Sequence, residues 1–172
     1  MKFVVRMMTW LSERHYTHCF FVAGGNSMHA LDAARQSMEC IPFVHEMSAT
    51  IAAEYFNESQ QDRRAFVLLT AGPGLTHAIS GIAGAYLENR SLLVIGGQVK
   101  TTDLSRGEVR QRGIQEVAGS AIARPICNAS VTATAPLSRT EFMALIDRQW
   151  EGKPGPVFLE LPLDVQATEV SA

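Results

Sequence analysis

Three short runs of the chain, residues 65–70, 91–95 and 156–161, are apolar at nearly every position. A strand with one face in water alternates apolar and polar residues, whereas a run that is apolar at successive positions needs cover on both faces. Between these runs lie longer segments whose apolar residues have helical spacing. This alternation predicts an α/β fold of three layers, a doubly wound parallel sheet with helices on both faces.

The other segments extend this pattern. The predicted helices cover residues 2–14, about 27–36, a segment after Glu46, about 78–86 and about 138–150. The predicted strands are residues 17–22, 40–44, 65–70, 91–95 and 156–161. The polar residues 57–64 are interpreted as a solvated helix end and loop, and residues 100–116 as an irregular charged excursion. No repeat or linker interrupts the chain, so residues 1–172 are predicted to form a single domain with a frayed tail from about residue 167.

Composition narrows the class of protein. Hydrophobic residues make up 47% of the 172 residues, which is enough for a full core. A net charge of -2 gives no reason to expect nucleic acid or an anionic membrane as partner. No apolar run reaches the roughly 18 residues needed to span a bilayer. Because Arg6 interrupts the first apolar run and no small-residue cleavage site follows, the N-terminus is interpreted as an amphipathic helix rather than a signal peptide.

The cysteines indicate a reducing compartment. There are three, Cys19, Cys40 and Cys127, and none has a C-x-x-C partner. Cys19 and Cys40 lie in apolar runs and are interpreted as reduced core thiols. A cytoplasmic location is therefore the expectation.

Glu46 is a lone acid at the point where an apolar run gives way to a helix. A carboxylate there would lose solvent, which would raise its pKa and let it donate or share a proton near neutral pH. Alternatively, Glu46 merely stabilises the helix N-terminus, where a negative charge contributes about 0.3–1 kcal/mol. Taken alone, the residue favours the second interpretation.

Three glycine-containing turns follow predicted strands, at Gly24-Gly25, Gly72-Pro73-Gly74 and Gly96-Gly97. Ligands of doubly wound sheets bind at such strand ends, although tight turns often need glycine for their own geometry. Neither a Walker loop nor a G-x-G-x-x-G fingerprint is complete, which argues against phosphate binding by these loops. The five histidines are scattered without metal-ligand spacing, so no metal site is predicted.

Taken together, the motifs resemble one family. The chain is similar over nearly its whole length to the N-terminal pyrimidine-binding domain of thiamine diphosphate-dependent enzymes of the acetolactate synthase and 2-oxo-acid decarboxylase type. The matching segments, in order, are residues 22–25, 44–46, 69–77, 95–99, 115–116 and 152–166.

The resemblance implies a role for each matching residue. Glu46 corresponds to the acid that hydrogen-bonds the aminopyrimidine ring and promotes loss of the C2 proton of the cofactor. Gly24, Gly25, Pro73 and His77 correspond to positions lining the pyrimidine pocket. Gln115 corresponds to a glutamine near the reacting carbon, with a solvent-facing role as the alternative. Gln98 belongs to a matching segment, with the alternative that it only ties down a loop.

The chain also departs from the family pattern. The family often has proline at Ala23, asparagine at His77, and arginine and glutamine at Val44 and Met47. Some decarboxylases carry a reactive serine or aspartate where this chain has Gly25. These differences leave the acceptor substrate open.

A second domain of the family binds the diphosphate through Mg²⁺, using a Gly-Asp-Gly stretch followed by asparagine, and this sequence contains no Gly-Asp pair. The resemblance therefore implies that this chain is the pyrimidine half of a decarboxylase or carboligase. A partner chain or a further C-terminal part would complete the active site. The enzyme would be oligomeric, and this chain alone would be inactive. The alternative is a non-catalytic α/β interaction module that pairs with another chain. A flavodoxin-like nucleotide binder is a third, more distant reading.

Overall fold

The structure, a computed structural model, describes residues 1–171. Its centre is a six-stranded sheet with strand order β2-β1-β3-β4-β6-β5, in which every neighbouring pair is parallel. The strands are β1 (Tyr16–Phe21), β2 (Glu39–Pro42), β3 (Arg64–Leu69), β4 (Leu92–Gln98), β5 (Ala129–Thr132) and β6 (Pro156–Pro162). The helices are α1 (Phe3–Ser12), α2 (Met28–Ala34), α3 (Glu46–Ser59), α4 (Pro73–Thr76), α5 (Ile79–Leu87), α6 (Gly119–Ala123), α7 (Arg139–Asp147) and α8 (Leu163–Ala167).

Both faces of the sheet are covered, which confirms the predicted three-layer fold. Along β3, Phe66 and Leu68 pack into a core with α1, α2 and α7, whereas Val67 and Leu69 pack into a second core with α3 and α5. Successive side chains of a strand point to opposite faces, so a strand between two helical layers must be apolar at every position. The uninterrupted run at residues 65–69 has this cause.

One strand, β5, and three short helices, α4, α6 and α8, were not predicted from the sequence. After the irregular segment, α6 and β5 form an edge unit in which β5 pairs with β6. β5 is short, contains Ser130 and Thr132, and lies at the edge of the sheet, so it lacks the apolar pattern that marks central strands.

Asn57, the first residue of the polar run interpreted as solvated, is buried. It accepts a hydrogen bond from the backbone N–H of Ala65 at 2.7 Å and donates to the carbonyl of Ala65 at 3.1 Å, which fastens α3 to the start of β3. His18 is also buried and packs its ring against Phe56. Both side chains are covered by residues of other elements, which residue type alone does not reveal.

The tail is also not frayed as predicted. The backbone N–H of Val170 donates to the carbonyl of Met1 at 2.9 Å, and Lys2 forms an antiparallel bridge with Glu169. These bonds tie residues 168–170 to the start of α1. Among residues 1–171, no helix combines the length and apolar character that crossing a membrane would require.

Candidate active site

The carboxyl ends of all six strands lie at one edge of the sheet because the strands are parallel. At this edge the connections after two neighbouring strands, β1 and β3, leave on opposite faces, since α2 packs into the first core and α5 into the second. Such a reversal opens a crevice between adjacent loops, and ligands of doubly wound folds bind there.

The two loops that border this crevice touch each other at Gly24. A Cβ on Gly24 would overlap the side chain of Thr70, which lies just beyond β3. The hydroxyl of Thr70 also accepts a hydrogen bond from the backbone N–H of Asn26 at 3.3 Å. Gly24 is thus explained by close packing of the loops, whereas the next residue, Gly25, is exposed and has open space where a Cβ would stand.

Glu46 is the first residue of α3 and is 9% exposed. The preceding residue, His45, is the N-cap, and its Nδ1 accepts a hydrogen bond from the backbone N–H of Met47 at 3.2 Å. Because His45 already provides the cap, the side chain of Glu46 is not needed for it and is free to turn inward. Glu46 is not the N-cap, but as an acid in the first turn of α3 it still places its charge at the helix N-terminus, so that interpretation stays open beside the catalytic one.

The carboxyl group of Glu46 faces the β3 loop and the helix that follows it. Its Oε2 lies 3.2 Å from Nδ1 of His77, within hydrogen-bonding distance. Its other oxygen, Oε1, faces Gly74, where a Cβ would stand 3.8 Å away. The ring of His77 in turn stacks on that of His45, with centroids 5.2 Å apart and planes inclined by 21°.

This arrangement joins two predicted site residues, Glu46 and His77, that are 31 positions apart. It also assembles a cluster that sequence reasoning missed, since potential metal-binding atoms of His45, Glu46 and His77 all lie within 4.8 Å of one another. The spacing of these residues resembles no metal motif, so only the fold reveals the cluster.

Gln115 approaches the same edge from another direction. Gly72 has a φ of +64°, a left-handed value that residues other than glycine rarely adopt. The backbone of Gln115 occupies the space where a Cβ of residue 72 would stand. Gln115 is exposed and has a positive φ of its own. The turn before Pro73, which is exposed at the start of α4, is therefore held against the segment around Gln115.

Gln98 ties down this segment, as one of its two interpretations proposed. Its buried amide group donates to the carbonyl of Val117 at 2.8 Å and to the carboxyl group of Glu160 at 2.9 Å. Burial raises the pKa of Glu160, and hydrogen bonds from Thr132, Gln98 and two backbone N–H groups oppose that rise in part. Glu160 was missed, although it too is a lone acid in an apolar run.

A cavity of about 600 Å³ lies under residues 104–118 and not at Glu46. Its lining includes Gln98, Val117 and Glu160, together with Arg106 and Arg110 from the charged segment 100–116. Glu46 is absent from that lining. Glu46 thus lies at the end of the sheet, outside this cavity.

Fold and site together define a class: an α/β domain with a buried carboxyl group at the start of a helix, beside the crevice between β1 and β3. Comparison with known proteins gives the family. The family described as "Thiamine pyrophosphate enzyme, N-terminal TPP binding domain" matches residues 1–122. The chain belongs to this family, which confirms the resemblance found in the sequence.

Curated relatives agree with this assignment. The chain is 32% identical over 162 residues to the acetolactate synthase large subunit of Buchnera aphidicola from Acyrthosiphon pisum, covering 90% of this chain and 27% of that protein. It is 36% identical over 154 residues to the acetolactate synthase large subunit of Lactococcus lactis, covering 86% of this chain and 25% of that protein. It is also 32% identical over 149 residues to 2-hydroxyacyl-CoA lyase 2 of Bos taurus, covering 85% of this chain and 22% of that protein. The chain spans about a quarter of the length of these relatives.

Proposed function

We propose that this chain is the pyrimidine-binding half of a thiamine diphosphate-dependent enzyme that cleaves or joins 2-oxo acids. The observation that carries the proposal is the position of Glu46. Its side chain is nearly buried, is not the N-cap of α3, and is hydrogen-bonded to His77 at the edge of the sheet. The alternative of a non-catalytic interaction module gives no reason for a carboxyl group to be held this way.

The residues present fit a flat heteroaromatic ring. Oε1 of Glu46 accepts no hydrogen bond from the residues that the structure describes, and Gly25, in the loop after β1, has open space where a Cβ would stand. When bound, thiamine diphosphate supplies a carbon nucleophile that adds to the carbonyl group of a 2-oxo acid and holds the charge released by decarboxylation. This chain's task is to bind and orient the pyrimidine end.

Within that task, Glu46 holds a proton at a ring nitrogen. A carboxyl group largely withdrawn from water shares a proton with a nitrogen base more strongly than one in bulk solvent does. His77 fixes the orientation of the carboxyl group through Oε2, which leaves Oε1 to face the ligand. Gly25, Pro73 and Gln115 are proposed to line the remainder of the site, with Gln115 nearest the substrate.

A second domain is proposed to complete the site and to bind the diphosphate with Mg²⁺. Large apolar side chains support this, because Val44 is fully exposed next to the site and Met47, Ile51 and Tyr55 form an exposed stripe along α3. The i, i+4, i+8 spacing places the three on one helix face. An apolar face of this kind beside a functional group is typical of a surface that another protein domain covers.

The test is to combine the chain with a domain that carries the Gly-Asp-Gly…Asn stretch and to measure binding of thiamine diphosphate by calorimetry. We expect Mg²⁺-dependent binding to the assembly and none to the chain alone. A pair of charge substitutions, Met47→Glu and Ile51→Glu, should prevent assembly, whereas Glu58→Gln at the exposed end of α3 should not. Assembly without any cofactor uptake would contradict the proposal and favour the interaction module.

A further inference from the structure

We propose that His45, Glu46 and His77 form a binding site for a zinc ion, and that zinc competes with the pyrimidine ring for the carboxyl group of Glu46. The first part stands on the geometry of this chain alone. The second part rests on the proposed function.

The donor atoms are nearly in place. Ligand atoms of a tetrahedral zinc ion lie about 3.3 Å apart when their bonds to zinc are about 2.0–2.1 Å long. Nδ1 of His77 and Oε2 of Glu46 are already 3.2 Å apart, and a nitrogen of His45 completes a set within 4.8 Å. Both imidazole rings are exposed, His77 with 55% of its side chain accessible, so a small rotation can close the remaining gap.

The donor types select the metal. Two imidazoles and one carboxylate, with a water molecule in the fourth position, are a set that zinc prefers. Magnesium prefers six oxygen ligands and keeps several waters, so this set binds it poorly. The site would therefore be distinct in chemistry from the magnesium site proposed for the diphosphate.

Zinc binding carries a local cost. A neutral imidazole has one free lone pair, and His45 uses it to accept the N–H of Met47. Coordination through either nitrogen ends that hydrogen bond, because binding at Nε2 moves the proton to Nδ1. Loss of this cap lowers the affinity for zinc by a factor of about five.

The functional consequence follows from the shared carboxyl group. A carboxylate coordinated to zinc cannot at the same time hold a proton at a ring nitrogen. Zinc would thus block cofactor binding at the step that the proposed function assigns to Glu46.

The experiment titrates the 172-residue chain with zinc chloride in a calorimeter, without cofactor. We expect one zinc per chain, and at least tenfold weaker binding in His77→Asn and in His45→Asn. Asparagine still hydrogen-bonds a carboxylate at residue 77 and still caps a helix at residue 45, so both variants keep the structural contacts while losing a ligand. The control is His15→Asn. His15 is exposed and lies away from the cluster, and asparagine tolerates its left-handed φ. The zinc affinity of this variant should equal that of the wild type.

Cobalt gives a second readout. Cobalt(II) in the same site should produce a visible absorption band that zinc displaces and that His77→Asn loses. Absence of stoichiometric zinc binding, or equal affinity in wild type and His77→Asn, would overturn the site. Magnesium chloride should produce no heat at this site.

Competition is measured separately, on the assembly with its diphosphate-binding domain. If zinc binds the chain but leaves cofactor uptake unchanged, the competition is wrong and the zinc site stands. If the cofactor fails to bind even after zinc is chelated, the proposed function is wrong, and again the zinc site stands.

Discussion

Gly81 of α5 lies directly against Thr50 of α3, so closely that a Cβ on residue 81 would overlap the hydroxyl group of Thr50. That hydroxyl donates to the carbonyl of Met47 at 2.8 Å. The contact therefore presses α5 against the first turn of α3, the turn that carries Glu46.

This contact gives a matched pair of variants. Gly81→Ala should destabilise the fold by about 1–3 kcal/mol, because the added methyl group must push α5 away from α3. Gly84→Ala lies on the same helix with open space at its Cβ and should stabilise by up to about 1 kcal/mol through helix propensity. Urea unfolding measures both, and equal effects would show that the Gly81 contact is not tight.

Asn57 is expected to be among the most sensitive polar residues. Asn57→Ala leaves the N–H and carbonyl groups of Ala65 without their partner at the start of a central strand. Each buried unpaired group costs about 1–3 kcal/mol, so we expect a total loss of about 2–6 kcal/mol. Glu58→Ala, one residue further along and exposed, should change the free energy of unfolding by less than about 0.5 kcal/mol. A loss below 1 kcal/mol for Asn57→Ala would contradict the assigned contacts.

Glu116 organises the charged segment beside Gln115. Its carboxyl group accepts the backbone N–H groups of Ser105 at 2.6 Å and Arg112 at 2.9 Å. Burial opposes the charge, but these hydrogen bonds outweigh it, so the pKa of Glu116 is lowered.

The lowered pKa fixes the direction of the pH dependence. The stabilisation is fully present above the ordinary pKa of a glutamate, about 4.3, and is lost as the pH falls through the lower folded value. Near neutral pH, Glu116→Gln should make trypsin cleave at Arg106, Arg110 and Arg112 several times faster. Glu108→Gln, whose exposed side chain pairs only with the side chain of Arg112, should have little effect. Unchanged cleavage in Glu116→Gln would contradict this role.

The cysteines should differ in reactivity. Cys40 lies beside Cys19 in the β1–β2 register, and the neighbouring Cys19 thiol lowers the pKa of Cys40. Burial raises the pKa of Cys127 to about 12. Because the thiolate is the reactive form, iodoacetamide at mildly alkaline pH should modify Cys40 first, as read by peptide mass spectrometry. Cys19→Ala removes the neighbouring thiol and should shift this reaction to higher pH. Faster labelling of Cys127 would contradict the assignment.

The sequence predicted the parts of this molecule that depend on local pattern. The central strands were found because burial on two faces demands apolar residues at every position, as in residues 65–69. β5 was missed because a short edge strand tolerates Ser130 and Thr132. Glu46 was found as a lone acid at a strand end, but Glu160 met a similar criterion and went unrecognised because its partners, Thr132 and Gln98, lie 28 and 62 positions away. The stacking of His45 on His77 depends on the segment before α3 meeting the end of α4, and the spacing of the two residues in the sequence does not predict this contact.

The most direct test of the central claim is exchange of the C2 proton of thiamine diphosphate in the assembled enzyme, followed by NMR after dilution into deuterium oxide. Glu46→Gln, which keeps the shape but cannot supply the acid, should slow this exchange by at least a hundredfold while leaving the fold and the assembly intact. Glu58→Gln, the same change at the exposed end of α3, should exchange at the wild-type rate. Equal rates in wild type and Glu46→Gln would contradict the account.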